Sequence, residues 1–331
     1  MRNTLRYQSD NSPPESRAAA SASPTGRSHK ETGWEAEPKA KRGGSKAATV
    51  RHGNHPSRDP LRDPAALLTQ EGRCRSRFVL SVVALLLFSL PAFASDLRLA
   101  AASDLNFAIK EIISQYEKDT GNRVQLTLGS SGTFFTQISE GAPFDVYLSA
   151  DRSYPDQLLN RKLGEPGTLF IYGVGRIVVW VPVSSTIDVK KLGMQSLLQP
   201  SIRKISIANP EHAPYGRAAV SAMQRAGVYD RVKNNLVLGE NISQAAEFVV
   251  SGAAQVGILG ISMALSDAMR GKGKYWEVPT DTYPVMEQAG IILRHAREFG
   301  NLDAARSFMR SLQSPQSRAV LARYGITAAQ P

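Results

Sequence analysis

Two stretches of this 331-residue chain place a hydroxyl side chain between an apolar run and a segment of helical period: Leu97 to Tyr116, with Ser103 at the junction, and Val124 to Ile138, with Ser130, Ser131 and Gly132. A turn of this kind aims backbone N–H groups and a side-chain O–H at one point, at the positive end of a helix dipole. That chemistry suits an anion. In the first stretch "LRLAAAS" reads as a buried strand, and Leu105, Ile109, Ile112, Ile113 and Tyr116 follow at helical spacing. Ser103 or Asp104 is therefore the expected N-cap. In the second, Gly132 would let the backbone come close to a ligand. Two further junctions repeat the pattern: "KISIANPEHAPYG" runs into Ala218, Ala219 and Met223, and "LVLGEN" into Ile242, Ala245, Ala246 and Val249.

Strands must deliver these turns. Period and composition predict them at Arg98 to Ala102, Val124 to Leu128, Val146 to Ser149, Ile177 to Pro182, Ile205 to Ala208, Leu236 to Leu238, Val256 to Leu259 and Gly290 to Leu293. Helical spacing intervenes and returns near the end, through Leu302, Ala305, Phe308, Met309 and Leu312 and then Val320 and Leu321. Strands alternating with helices give an α/β fold, as one large sheet or as two lobes.

Residues 1–77 are rich in Ser, Gly, Pro, Arg and Lys and lack apolar periodicity, the signature of a disordered extension. Arg73, Arg75 and Arg77 then precede the apolar run Phe78 to Leu90, a Pro91 and the triplet Ala92, Phe93, Ala94. Residues 78–94 read as the core and cleavage site of a secretory signal, cut after Ala94, since the run is short of the roughly 20 residues of a spanning helix. A basic extension ahead of a signal is what a gene start called too far upstream would leave.

Residues 1–95 hold 15 Lys+Arg against 8 Asp+Glu, and residues 96–331 hold 25 against 21. Most of the net +11 thus belongs to the part that export removes. No basic stripe with interleaved aromatics remains, which argues against nucleic acid as a partner. The only cysteine, Cys74, lies ahead of the cut, so the mature chain has no disulfide, no thiol nucleophile and no Cys-based metal site. Its two histidines, His212 and His295, sit in no motif that pairs them with a nucleophilic serine and an acid. HExxH, GxxxxGK[ST] and GxGxxG are missing too, so an enzyme is not expected.

Five stretches resemble the periplasmic molybdate-binding proteins of ABC transporters, a group of type II solute-binding proteins. They are "AAASDL" at 100–105, "GSSGTFFTQISEGAPFDVYLSAD" at 129–151, "NPEHAPYG" at 209–216, "AQVGIL" at 254–259 and "SPQSRAVLARYGI" at 314–326. The resemblance spans 96–331. It implies a two-lobed periplasmic binding protein, each lobe a mixed sheet flanked by helices, with the ligand cleft between them. Lobe one would be 96–178 plus 286–331 and lobe two 179–285, with crossovers near Arg176 to Val181 and Tyr283 to Ala289. It further implies a periplasmic monomer that binds molybdate, and tungstate, as ligand rather than cofactor and passes it to an inner-membrane ABC permease. Ser103 and Ser131 match the two serines that hydrogen-bond the oxyanion. Tyr215 falls where the family uses either a small residue's N–H or a tyrosine's O–H, and Ile242 where a valine-like residue donates its N–H. Gly260 falls where some members have a ligand-contacting tyrosine, and the phenol of Tyr215 would take its place.

Molybdate near neutral pH is a dianion whose oxygens only accept, so its pocket should be lined by donors and by no direct cation ligand. Phosphate, which carries a proton, would also need an acceptor. Asp104 could be that acceptor, or could cap its helix and offer only its N–H to the ligand. Asp145 and Asp151 are expected to make a strand-end bond and a helix cap, because a carboxylate repels a dianion. Phosphate or sulfate binding, and a ligand-sensing signalling or adaptor domain of the same fold, remain as alternatives.

Overall fold

The computed structural model describes residues 96–327. The extension over 1–77, the signal over 78–94 with its cut after Ala94, and Cys74 lie outside the described residues.

Two five-stranded mixed sheets organise the chain. The first is ordered β2-β1-β3-β10-β4, from β1 (Asp96–Ala102), β2 (Arg123–Gly129), β3 (Val146–Ser149), β4 (Phe170–Gly175) and β10 (Met286–Ile292). The second is ordered β7-β6-β8-β5-β9, from β5 (Ile177–Pro182), β6 (Ile205–Ala208), β7 (Leu236–Gly239), β8 (Val256–Gly260) and β9 (Gly273–Glu277). Each sheet has a parallel trio, with β1 flanked by β2 and β3 and β6 flanked by β7 and β8. Two more strands complete each in antiparallel pairing: β10 beside β3 with β4 beyond it, and β5 beside β8 with β9 beyond it. The chain therefore leaves the first sheet at Gly175 and returns to it at Met286, with Arg176 between the two sheets. Val178, expected in lobe one, pairs with Leu259 in the second sheet, because the whole apolar run from Ile177 is buried in that ladder.

Helices cover both faces. After a single 3-10 turn at Ser103–Leu105, α1 (Asn106–Thr120) buries Ala108, Ile109, Ile112, Ile113 and Tyr116 and stops at Gly121, which takes the left-handed φ of 73°. The other helices that matter to the cleft are α2 (Ser131–Ser139), α3 (Ser153–Asn160), α4 (Pro214–Arg225) and α5 (Ile242–Val250). Lobe one closes its core with α6 (Leu302–Leu312) and α7 (Pro315–Arg323).

Two strands have no counterpart among the predicted ones. β4 and β9 are sheet edges, the first carrying Gly173 and Gly175 and the second half exposed, so neither presents an apolar run to read. The glycines of β4 serve packing: a Cβ on Gly173 would lie 2.3 Å from Ile326.

Asp145 makes the expected strand-end bond, whereas Asp151 precedes the N-cap of α3 and also reaches Arg217 across the cleft. Asp145 is fully buried and accepts the Arg98 N–H at 2.9 Å, the Asn301 amide at 3.0 Å and a His295 ring nitrogen at 2.7 Å. It ties the start of β3 to β1 and to the chain entering α6. Asp151 accepts the Ser153 N–H at 2.9 Å. Because removing Asp145 leaves three partly buried donors without their acceptor, Asp145→Ala should cost about 3 kcal/mol in urea unfolding. A loss below about 0.5 kcal/mol would contradict this role.

Candidate anion-binding site

Parallel strands of both lobes end on one small cavity, of about 10 Å³. The end of β1 contributes Ala102, Ser103 and Asp104, that of β2 Gly129, Ser130 and Ser131, and that of β3 Ala150. From lobe two the end of β6 contributes Ala213, Pro214 and Tyr215, and that of β7 Asn241 and Ile242. Ligands of open α/β sheets collect at such carboxyl ends, where the neighbours of the central strand run off in opposite directions. No Lys, Arg or His is in the lining. Of the residues singled out in the sequence, Ser103, Asp104, Ser131, Tyr215 and Ile242 meet here, and Gly260 does not line the cavity.

The donors are set by local structure. Ser131 opens α2, where its N–H has no carbonyl one turn earlier to bond. Its Oγ accepts the Ala150 N–H at 3.0 Å, which leaves the hydroxyl proton to donate elsewhere. The Tyr147 hydroxyl fixes the Ser131 carbonyl at 2.7 Å. Across the cleft Pro214 occupies the first turn of α4, a place where a missing N–H costs nothing, and Tyr215 follows it. Asn241 caps α5 by accepting from Ser243 and Gln244, at 3.0 and 3.2 Å, rather than from Ile242. The N-terminal turns of three helices, α2, α4 and α5, thus border the cavity.

Asp104 and Tyr215 differ from what their positions suggested. Neither Ser103 nor Asp104 caps a helix with its side chain. Asp104 turns inward, where Oδ2 accepts the Gln288 amide at 2.7 Å and the Tyr215 hydroxyl at 3.1 Å. Burial pushes its carboxyl up to about 7, against the lowering effect of those bonds. The Tyr215 phenol is committed to this cluster, and burial holds it protonated. Gly260 makes room for it, since a Cβ there would lie 3.0 Å from the Tyr215 ring. A glycine at 260 and a tyrosine at 215 are thus one packing solution. Gln288 was not singled out beforehand. Its trace in the sequence is one amide after Glu287, just ahead of the apolar end of β10.

The lobes also touch directly at the cavity rim. The His212 carbonyl of lobe two accepts the Ser130 hydroxyl at 2.5 Å and the Gly132 N–H at 2.9 Å. Ser243 donates to the Ser103 carbonyl at 3.1 Å, and Arg217 pairs with Asp151 at 2.7 Å. His212 further approaches Ser130 Oγ at 3.1 Å and Glu240 at 3.6 Å. This has the outline of a serine triad, but the Ser130 proton is spent on a carbonyl. Gly132 is close to lobe two rather than held in reserve for a ligand: a Cβ on it would lie 2.5 Å from the His212 carbonyl.

Residues 97–327 match the family described as bacterial extracellular solute-binding protein. The molybdate-binding protein ModA of Rhodobacter capsulatus is 35% identical over 237 residues, covering 72% of this chain and 90% of that protein. ModA of Azotobacter vinelandii is 34% identical over 250 residues, covering 76% and 96%. The solved structure of the Azotobacter vinelandii periplasmic molybdate-binding protein superposes with a TM-score of 0.65 at 29% identity, over 71% of this chain and all of that one.

Gly132→Ala tests the rim. The methyl group must push the lobes apart at His212, so the variant should close less well and bind oxyanion at least tenfold more weakly, while unfolding at nearly the wild-type temperature. Unchanged affinity would show that the contact does not govern closure.

Proposed function

The chain belongs to the bacterial extracellular solute-binding protein family, and we propose that it captures molybdate between its lobes and delivers it to an ABC permease. It is a binding protein, not an enzyme. The observation that carries the reading is a small cavity walled by hydroxyl groups and helix N-termini of both lobes, with no cation in its lining. A fully deprotonated tetrahedral dianion asks for that donor set. Helix N-termini supply partial positive charge that needs no desolvated counter-ion.

In this reading Ser103 and Ser131 donate their hydroxyls, and the backbone N–H groups of Tyr215 and Ile242 donate from lobe two. Asp104 contributes its N–H at most, and the Tyr215 phenol holds the lobes together rather than the anion. Molybdenum is bound through its oxygens, with no protein atom on the metal. Tungstate, with the same charge and shape, enters the same site. The protein works outside the cytoplasm as a monomer, exported by the segment over 78–94 and cut after Ala94.

Calorimetry on the mature chain tests the ligand. Molybdate and tungstate should bind one to one, and sulfate and phosphate should give little heat. Heat with phosphate and none with molybdate would overturn the reading. In the same titration Ser131→Ala should lose about 1.5 to 3 kcal/mol of molybdate binding, the worth of a hydrogen bond to a charged group. Full affinity would remove Ser131 from the site.

A further inference from the structure

Behind the cavity lies a cluster that capture of an anion does not by itself require. Tyr215 reaches from lobe two into lobe one, and its hydroxyl sits 3.1 Å from Asp104 Oδ2 and 3.0 Å from Gln288 Nε2. The seat is built for it. A Cβ on Gly175 would lie 2.9 Å from that hydroxyl, and one on Gly260 would lie 3.0 Å from the ring. Gln288 is wholly buried, on the same face as Met286, and an irregularity in the β10–β4 ladder follows it, between Gln288 and Ala289.

The cluster is short of hydrogen. Asp104 Oδ2 accepts two donors, while Asp104 Oδ1 and Gln288 Oε1 are buried with no partner. An ionised carboxylate with one oxygen left bare is costly to bury, and no cation is bonded to it to offset that cost. A proton on Oδ1 removes the charge and leaves Oδ2 free to keep both bonds.

We propose that Asp104, Tyr215 and Gln288 form a proton-accepting latch between the lobes, which closes with a proton on Asp104 and so couples capture of a dianion to the uptake of one proton from solvent. The inference rests on the oxyanion reading of the cavity. Asp104 stands in the cavity wall, so a bound dianion adds like charge beside it and holds the proton more firmly. In the open protein Tyr215 leaves and water reaches the carboxyl, which returns toward its ordinary range near 4. Between the open and closed values closure therefore takes up a proton, and affinity falls as pH rises.

Other titratable groups around the cluster are accounted for. Tyr172 of β4 donates to the Ser149 carbonyl, and Glu287 of β10 is half-buried and paired with Arg152. Arg176, at the crossover, is bound to Glu277 and to the Gly325 carbonyl, and Glu247 of α5 and Lys110 of α1 are exposed. His212 stands at the rim, its ring nitrogen 3.6 Å from Glu240.

Titrating wild-type protein with molybdate at pH 6 in buffers of different protonation enthalpy (MES, ACES, imidazole) reads the protons directly. Close to one proton should be taken up, and Kd should rise up to tenfold per pH unit from pH 5 to 7. Asp104→Asn keeps the shape without the charge, and should take up none and lose the slope. Equal heats in every buffer, with molybdate still bound, would overturn the latch and leave the oxyanion reading standing. Uptake that persists in Asp104→Asn would also overturn it, and His212→Gln would then show whether the rim histidine is the acceptor. Absence of binding by molybdate, tungstate, sulfate and phosphate alike would overturn the reading and the latch together.

Discussion

A doubly charged anion has to be taken out of water into a cavity whose wall holds no side-chain cation. A buried Lys or Arg would offset the charge, but it would have to be desolvated itself and would repel the lobes from each other in the empty protein. Hydroxyl groups and the N-termini of helices carry no net charge and lose less on burial. They must be many, and they must converge, because each is worth only about 1.5 to 3 kcal/mol. Convergence is what the two sheets provide. Each has a parallel trio whose carboxyl ends face the other lobe, so five strand ends meet on one cavity.

The same constraint explains why the lobes engage through polar groups. The His212 carbonyl with Ser130 and Gly132, Ser243 with the Ser103 carbonyl, and Arg217 with Asp151 all span the cleft. Each of the neutral bonds contributes about 1 kcal/mol net, since water satisfies the same groups when the cleft opens. Such a set aligns the lobes without locking them, which leaves the anion's own bonds to decide the balance between open and closed. Tyr215 is the exception. Its ring is buried against Gly260, and its hydroxyl, beside Gly175, meets a carboxyl whose charge is costly there, so its docking is sensitive to protonation.

Most of the framework was legible in the sequence, because strands buried on both faces are continuous apolar runs and α1 and α6 carry a clean helical stripe. Edge strands β4 and β9 were not, since a half-exposed strand with glycines has no pattern that separates it from a loop. The candidate site was legible in residue type: Ser103, Ser131, Tyr215 and Ile242 all border the cavity. Direction was not. Whether Tyr215 turns its phenol to the ligand or to Asp104 depends on the space left by Gly175 and Gly260, which are far away in sequence and close only in the fold. Gln288 is harder still, because its partners Asp104 and Tyr215 lie far away in sequence and a lone amide beside Glu287 reads as a surface residue. Gly132 shows the limit from the other side: close approach was foreseen, but the approaching group is the backbone of the opposite lobe.

The central claim is that neutral donors from both lobes hold an oxyanion at the convergence of the strand ends. Anomalous diffraction at the molybdenum edge, from crystals of the mature protein grown with molybdate, tests it most directly. The account predicts one strong peak in the cavity between Ser131, Ser103 and the first turns of α4 and α5, with no Lys, Arg or His in its first coordination sphere. A peak on a basic surface patch, or a cleft without one at saturating molybdate, would contradict it.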